Sequence, residues 1–276
     1  MSMNEERKKE EQRFHDALRH KSFGQRWSPA LEKVIQTNPL WGNMKYYSIE
    51  RKSRNFVLNW LYQQCVGKEV LDYCCGNGED SILLAKHGVK KITGIDISGV
   101  SIDNCNVSAI SEKVSNTASF QVMDAENLQF KDSVFDLITE YGCLHHLELE
   151  KAFYEIARVL KPGGKVICNE ALGHNLMIQL YRKLTPGLRT KFEAAHILKK
   201  KDLVLAKRYF GKVECRFFHL FTLCAVPLRN TPLFEFVLRL MEFIDYIVLK
   251  IPVLKWQAWQ VVFILSEPRK KDIDEA

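Results

Sequence analysis

From Lys68 onward, short apolar runs alternate with helix-patterned stretches, and this alternation limits the fold more than any other feature of the chain. The runs are 70–73, 91–95, 119–123, 135–138 and 165–169, each four or five residues long. Helical stretches between them include 80–87 and 151–160, the latter stopped by Lys161-Pro162-Gly163-Gly164. Strands and helices that alternate with short connections build a parallel, doubly wound sheet. Two later runs, 212–220 and 258–265, read as strands and complete a mostly parallel, seven-stranded α/β architecture. Residues 1–66 read as helical, with Phe56, Val57, Trp60, Leu61 and Cys65 at helical spacing. The expected organisation is therefore an N-terminal helical extension or lid, 1–66, and a main domain, 67–276. Helical segments are expected within it at about 171–211 and 224–256, the second standing before the last strand.

Composition narrows the setting. The net charge is +7, with basic residues gathered at Lys8 to Arg13, Lys199 to Lys201 and Arg269 to Lys271. Such runs steer a chain toward RNA or an anionic membrane, although solvated helix faces and chain ends are the simpler reading. The eight cysteines include no CxxC pair, and no His/Cys cluster has zinc spacing, so no metal is expected. Cys74, Cys75 and Cys168 lie in or beside strand-like runs, which suits reduced thiols and a cytoplasmic setting. Residues 1–12 are charged and lack an apolar stretch, so no secretory signal is expected. No run approaches the roughly 18 apolar residues of a membrane span.

The strongest local signal is Val70-Leu71-Asp72-Tyr73-Cys74-Cys75-Gly76-Asn77-Gly78-Glu79-Asp80. A strand enters a glycine turn that lets backbone come close to a ligand, and a helix follows. A purely structural turn fits these residues alone. About 18 residues on, the next strand ends in Gly94-Ile95-Asp96-Ile97-Ser98. An acid at the tip of the second strand accepts from ribose hydroxyls in doubly wound folds. Helix capping is the competing role for Asp96, and Ser98 suits it as well. The third strand ends Val122-Met123-Asp124-Ala125-Glu126, which sets Asp124 to accept from an adenine amino group and the Ala125 N–H to donate to the ring. The fourth leads to Thr139-Glu140-Tyr141. A dehydrogenase pattern explains neither Asp124 nor the 161–164 turn, and it wants Gly or Ala where Ser81 stands.

These residues resemble the class I S-adenosyl-L-methionine (SAM)-dependent methyltransferases, in particular the branch containing ubiquinone and menaquinone biosynthesis enzymes. The family's strand ending Asp-x-Gly-x-Gly-x-Gly matches Asp72 to Gly78 except at Cys74. Its fourth-strand Phe-Asp and following Leu-His-His match Phe135, Asp136, Leu144, His145 and His146. Its Arg-Val-Leu-Lys-Pro-Gly-Gly matches Arg158 to Gly164. The likeness runs over roughly 66–172, with the ends looser. It implies SAM as cofactor, held by Asp72, Cys74, Gly76, Asn77, Gly78, Asp96, Ile97, Asp124, Ala125, Glu140 and Tyr141, with Glu140 meeting the methionine ammonium. An extended backbone at Cys74 leaves that site intact, whereas a left-handed turn there weakens or abolishes it.

For the transfer itself, His145 and His146 are candidate bases, each with packing or solvation as its alternative. Glu170 is a second candidate for acceptor contact or base. His174, Asn175, Arg182, Thr185, Arg189, Glu193 and His196 form a dense polar set after the fifth strand, where related enzymes build the acceptor pocket. Glu193 and His196 read as an acid–base pair or a surface pair. Phe14-His15 and Tyr46-Tyr47 read as a closing lid or as core. No Asx-Pro-Pro-aromatic or Pro-Cys motif is present, so an O- or C-methyltransferase of a small molecule is the first choice. In 232–250 the apolar residues exceed what one buried helix face needs. That excess suits a lipophilic acceptor, a twin subunit or a peripheral membrane contact, as well as ordinary core. An RNA or protein methyltransferase and a non-catalytic binding protein are the alternative functions.

Overall fold

The computed structural model describes residues 3–19, 29–37 and 39–270. Lys271 of the last basic run, and parts of the 1–66 extension, lie outside the described residues. In chain order the elements begin with α1 (Met3–Arg19), α2 (Pro29–Thr37), a 3-10 segment (Pro39–Ser48) and α3 (Arg51–Gln64). Then come β1 (Glu69–Tyr73), α4 (Glu79–Lys86), β2 (Lys91–Asp96), α5 (Gly99–Ser111), β3 (Ala118–Val122) and β4 (Phe135–Tyr141). After a 3-10 turn (Leu144–His146) follow α6 (Leu149–Val159) and β5 (Leu160–Ala171). The remainder is α7 (Leu176–Leu184), α8 (Lys191–Ala195), α9 (Lys200–Tyr209), β6 (Phe210–Phe218), α10 (Phe234–Val248) and β7 (Gln260–Pro268).

One seven-stranded sheet has the order β3-β2-β1-β4-β5-β7-β6. The first five strands are parallel, and β7 runs antiparallel between β5 and β6. The expected α/β architecture therefore stands, with strand boundaries moved by a few residues, most of all at the start of β5. Lys161 to Gly164 belongs to β5: Phe135 pairs with Leu160, the ladder shifts, and pairing resumes at Leu137 with Lys165. Gly163, at φ +78°, gives the backbone this excursion without the left-handed strain another residue would carry.

Parallel strands buried on both faces need apolar residues at successive positions. Leu71, Ile138, Val166 and Phe263 pack toward α6 and α9, with Phe153, Ile156 and Leu203. Their neighbours Val70, Leu137, Ile167 and Val262 pack the opposite way, against Val57 and Leu61 of α3 and Leu84 of α4. A separate cluster, with Ile178, Leu223, Val226, Phe234, Leu238 and Trp259, forms the helical cap over the β5–β7 end. This arrangement leaves the carboxyl ends of β1, β2 and β4 facing a crevice, where open α/β sheets take ligands.

Candidate active site

Beyond Tyr73 the backbone turns through three left-handed residues: Cys74 at φ +58°, Gly76 at +52° and Gly78 at +73°. A Cβ at Gly78 would stand 2.8 Å from Cys105 Sγ, so packing beneath the turn requires glycine there. Asp96 is buried at the tip of β2, where Oδ2 accepts from the Gly76 N–H and Oδ1 from the Ser98 N–H, both at 2.9 Å. Ser98 is the cap of α5, its hydroxyl oxygen accepting from the Ser101 N–H, so Asp96 is released from that role. Burial raises the Asp96 pKa against these two donors. Asp124 accepts from the Glu126 N–H through Oδ1. Cys74, Asp96, Ile97, Asp124, Ala125 and Tyr141 all line one cavity.

Asp72, Gly76, Asn77, Gly78 and Glu140 do not line it. Asp72 shares the strand face of Val70 and turns toward α4, where it accepts from the Ser81 hydroxyl at 2.7 Å. This bond gives Ser81 its role. Burial, then the neighbouring Asp80, pushes Asp72 up to about 7. Asn77 accepts from Asn104 through Oδ1, while its Nδ2 is buried with no partner. Glu140 is 1% exposed and accepts from the Cys143 and Leu144 N–H groups at 2.6 and 3.3 Å. It braces the 3-10 turn from behind, away from the position expected for an ammonium contact.

The cavity's other wall is α1. Lys8 Nζ lies 2.6 Å from Asp124 Oδ2 and 3.0 Å from Glu126, and Arg7 pairs with Glu126 at 2.6 Å. Asp16 accepts from the Ser98 hydroxyl, and the Arg19 guanidinium lies 3.2 Å from where a Cβ on Gly76 would stand. Arg7, Glu11, His15 and Arg19 recur every fourth residue, one face of a helix. The spacing is visible in the sequence, but nothing in it says that this face of the helix meets a cavity. With α1 seated, the cavity volume is about 70 Å³, against about 200 Å³ in its neighbour.

The neighbouring cavity shares Arg19, Tyr141 and Gly142 with the first and adds Tyr46, Tyr47, His145, Asn169, Arg182, Arg189, Glu193 and Trp259. His145 Nδ1 is 2.7 Å from Glu170 Oε2, whose other oxygen accepts from the Leu144 N–H. Burial pushes Glu170 up to about 7 and lowers His145, which keeps this imidazole neutral near pH 7. His146 faces the first cavity instead, with Nδ1 2.9 Å from Glu11. Both amide atoms of buried Asn169 lack a partner. Glu193 pairs with Arg182 and Arg189, while His196 stacks on Phe192, so the two do not form a pair. Asn175 caps α7, and His174 accepts from the Lys200 N–H.

Two cavities that share a wall at the strand tips suit the transfer of a group between two bound molecules. Residues 70–164 match the family model described as a methyltransferase domain. This region is a methyltransferase domain. The match and the relatives agree with the class I, SAM-dependent kind that the motifs imply. The chain is 34% identical over 113 residues to 27-O-demethylrifamycin SV methyltransferase of Amycolatopsis mediterranei, covering 41% of this chain and 40% of that protein. It is 29% identical over 160 residues to the ubiquinone/menaquinone biosynthesis C-methyltransferase of Geotalea daltonii, covering 54% and 68%. Against the first of these and the demethylmenaquinone methyltransferase of Lactiplantibacillus plantarum, the chain spans 40% and 44% of the relative's length. The domain's fold is that of geranyl diphosphate C-methyltransferase from Streptomyces coelicolor A3(2), at 12% identity, TM-score 0.62, and 95% and 98% coverage.

Proposed function

We propose that the protein transfers the methyl group of SAM to an oxygen or carbon nucleophile of a small acceptor with an apolar body. The observation that carries this reading is the convergence of Cys74, Asp96 and Asp124 on one cavity that shares Tyr141 and Gly142 with a second. The residues fit the cofactor. Each Asp96 oxygen accepts one backbone N–H and keeps a lone pair for a ribose hydroxyl. Asp124 and the Ala125 backbone would hold the adenine. When bound, SAM supplies a methyl group on a cationic sulfur that is already an activated leaving group. The protein's task is then to align the acceptor and remove its proton. In this reading His145 is the base, and Glu170 positions it through Nδ1 so that Nε2 faces the second cavity. Asn169 supplies an unpaired amide for the acceptor's polar end. Glu170 acts only through His145, and His146 faces the first cavity, so neither touches acceptor.

An acceptor with an apolar body is supported by α10, which leaves large apolar side chains exposed while two of its acids turn inward. Its polar residues Glu242 and Asp245 face inward, to Arg51 and to the Leu220, Phe221 and Thr222 N–H groups. Phe236, Leu240, Phe243 and Ile247 form an exposed stripe, with Phe236 70% and Phe243 62% accessible. Leu176, Leu180 and Leu184 of α7 form a second. Arg239, Lys250 and Lys255 lie near the first stripe, which suits contact with an anionic membrane surface from which such an acceptor would be drawn. No described helix is long and apolar enough to cross a membrane. The basic side chains Arg7 and Lys8 are paired with acids at the cavity, which removes support for an RNA substrate there.

Turnover of methyl-labelled SAM against a lipid extract and an aqueous extract of source cells tests the reading. Product is expected in the lipid fraction, with His145→Gln losing at least tenfold in turnover while donor affinity holds. Cosedimentation with anionic vesicles is expected to fall in Phe236→Ser/Phe243→Ser. Product confined to the aqueous extract would remove the apolar acceptor, and unchanged turnover in His145→Gln would remove the base.

A further inference from the structure

Glu11 and His15 lie one turn apart on the inward face of α1, and His146 comes from the 3-10 turn after β4. One carboxylate oxygen and two imidazole nitrogens from these residues lie within 4.8 Å of one another. Glu11 Oε2 is 2.9 Å from His146 Nδ1 and 3.7 Å from His15 Nε2. The three are mostly buried, their side chains 6%, 20% and 12% accessible in the order Glu11, His15, His146, and all three line the first cavity.

We infer that Glu11, His15 and His146 bind a divalent transition-metal ion, Zn²⁺ by preference, which fastens α1 to the cavity wall. The inference stands on side-chain geometry and not on the methyl-transfer reading. Residues at i and i+4 share a helix face, so Glu11 and His15 can present ligand atoms to one point. Two imidazoles with one carboxylate favour zinc, cobalt or nickel, because magnesium and calcium take oxygen ligands. Ligands about 2.0–2.2 Å from a tetrahedral ion stand roughly 3.3 Å apart, close to the two distances measured to Glu11. The widest separation needs to close by roughly 1.5 Å, within the reach of imidazole rotation. The second oxygen of Glu11 accepts from the Thr190 hydroxyl, an outer contact of the kind that orients metal-binding carboxylates. Three protein ligands leave a fourth position open to the cavity. The expectation of no metal came from local spacing, and spacing is blind to a site whose third ligand arrives from another element.

The full chain, stripped with a chelator and dialysed, is titrated with Zn²⁺ by calorimetry and with Co²⁺ by visible absorption. One ion per chain is expected, with d–d bands of a tetrahedral site and no thiolate charge-transfer band. His15→Ala and Glu11→Gln are each expected to weaken binding at least tenfold with an unchanged circular dichroism spectrum. Glu11→Gln keeps the side chain's size and decides the matter if His15→Ala fails to fold. Zn²⁺ is also expected to protect α1 from limited proteolysis. The inference is overturned by no stoichiometric uptake in the wild type, by equal uptake in the folded variants, or by a thiolate band assigning the ion to cysteines such as exposed Cys224. A simple hydrogen-bonded Glu11–His146 pair produces the first of these results.

Discussion

At the scale of single residues, Cys74 adopts the conformation that its family's glycine takes freely. A left-handed backbone costs an L-residue roughly 1–2 kcal/mol. The protein carries that strain before any ligand arrives, so, against the expectation that a left-handed turn weakens the site, the cost falls on folding stability and not on donor affinity. Only the volume of the thiol competes with the ligand. Cys74→Gly is therefore expected to raise unfolding stability by about 0.5–1 kcal/mol and to leave donor affinity equal or tighter. Cys74→Val, β-branched at positive φ, should destabilise by about 2 kcal/mol or more. Denaturant unfolding of the three proteins checks this, and equal stability of Val and Gly would mean that the turn is not left-handed. The motif made the position visible, but no residue pattern discloses a dihedral angle. Asp96 and Asp124 line the cavity, as residues at strand tips that face the crevice are expected to. Asp72 and Glu140 lie off the cavity, and a motif does not record which face of a strand a side chain takes. Asp72 follows Val70 onto the α4 side, and Glu140 goes behind the 3-10 turn.

At the scale of elements, α1 is both the wall of the first cavity and its occupant. Lys8 sits on the Asp124 oxygen that an adenine amino group would use, so the helix must shift for the nucleoside to seat fully. Lys8→Ala is expected to speed donor association several-fold in stopped-flow binding, since one ion pair of a partly exposed side chain is lost. A slower rate would show instead that Lys8 recruits the donor. The mostly parallel sheet could be read from alternating runs, though not the order of its strands, and the expected helices 80–87 and 151–160 match α4 and α6 to within two residues. The reach of α1 could not be read, because its charges resemble a solvated helix until Asp124 and Glu126 are brought opposite. The direction of α10 was equally hidden. Its apolar excess was plain, but the inward turn of Glu242 and Asp245 depends on Arg51 and on a backbone segment distant in sequence.

At the scale of the whole molecule, several buried carboxyls make stability depend on pH. Burial pushes Glu50, Asp72 and Glu170 each up to about 7. Each carboxyl therefore binds its proton more tightly folded than unfolded. The stabilisation is complete below the unfolded pKa, near 4–4.5, and is lost as pH rises through about 7. Glu50 accepts from Tyr141 Oη and from Gln260 Nε2, so glutamine in its place mimics the protonated form. Glu50→Gln is expected to gain stability relative to the wild type between pH 5 and pH 8, on the order of 3 kcal/mol. Melting temperatures across that range check the sign, and a constant difference would mean that Glu50 is ionised throughout. The account as a whole rests on Asp96 gripping the donor's ribose, and calorimetric titration with S-adenosylhomocysteine tests that most directly. Saturable binding is expected in the wild type, weakened by about 1–3 kcal/mol in Asp96→Ala through lost hydrogen bonds to a charged group. No binding to the wild type, or equal affinity in both proteins, would contradict it.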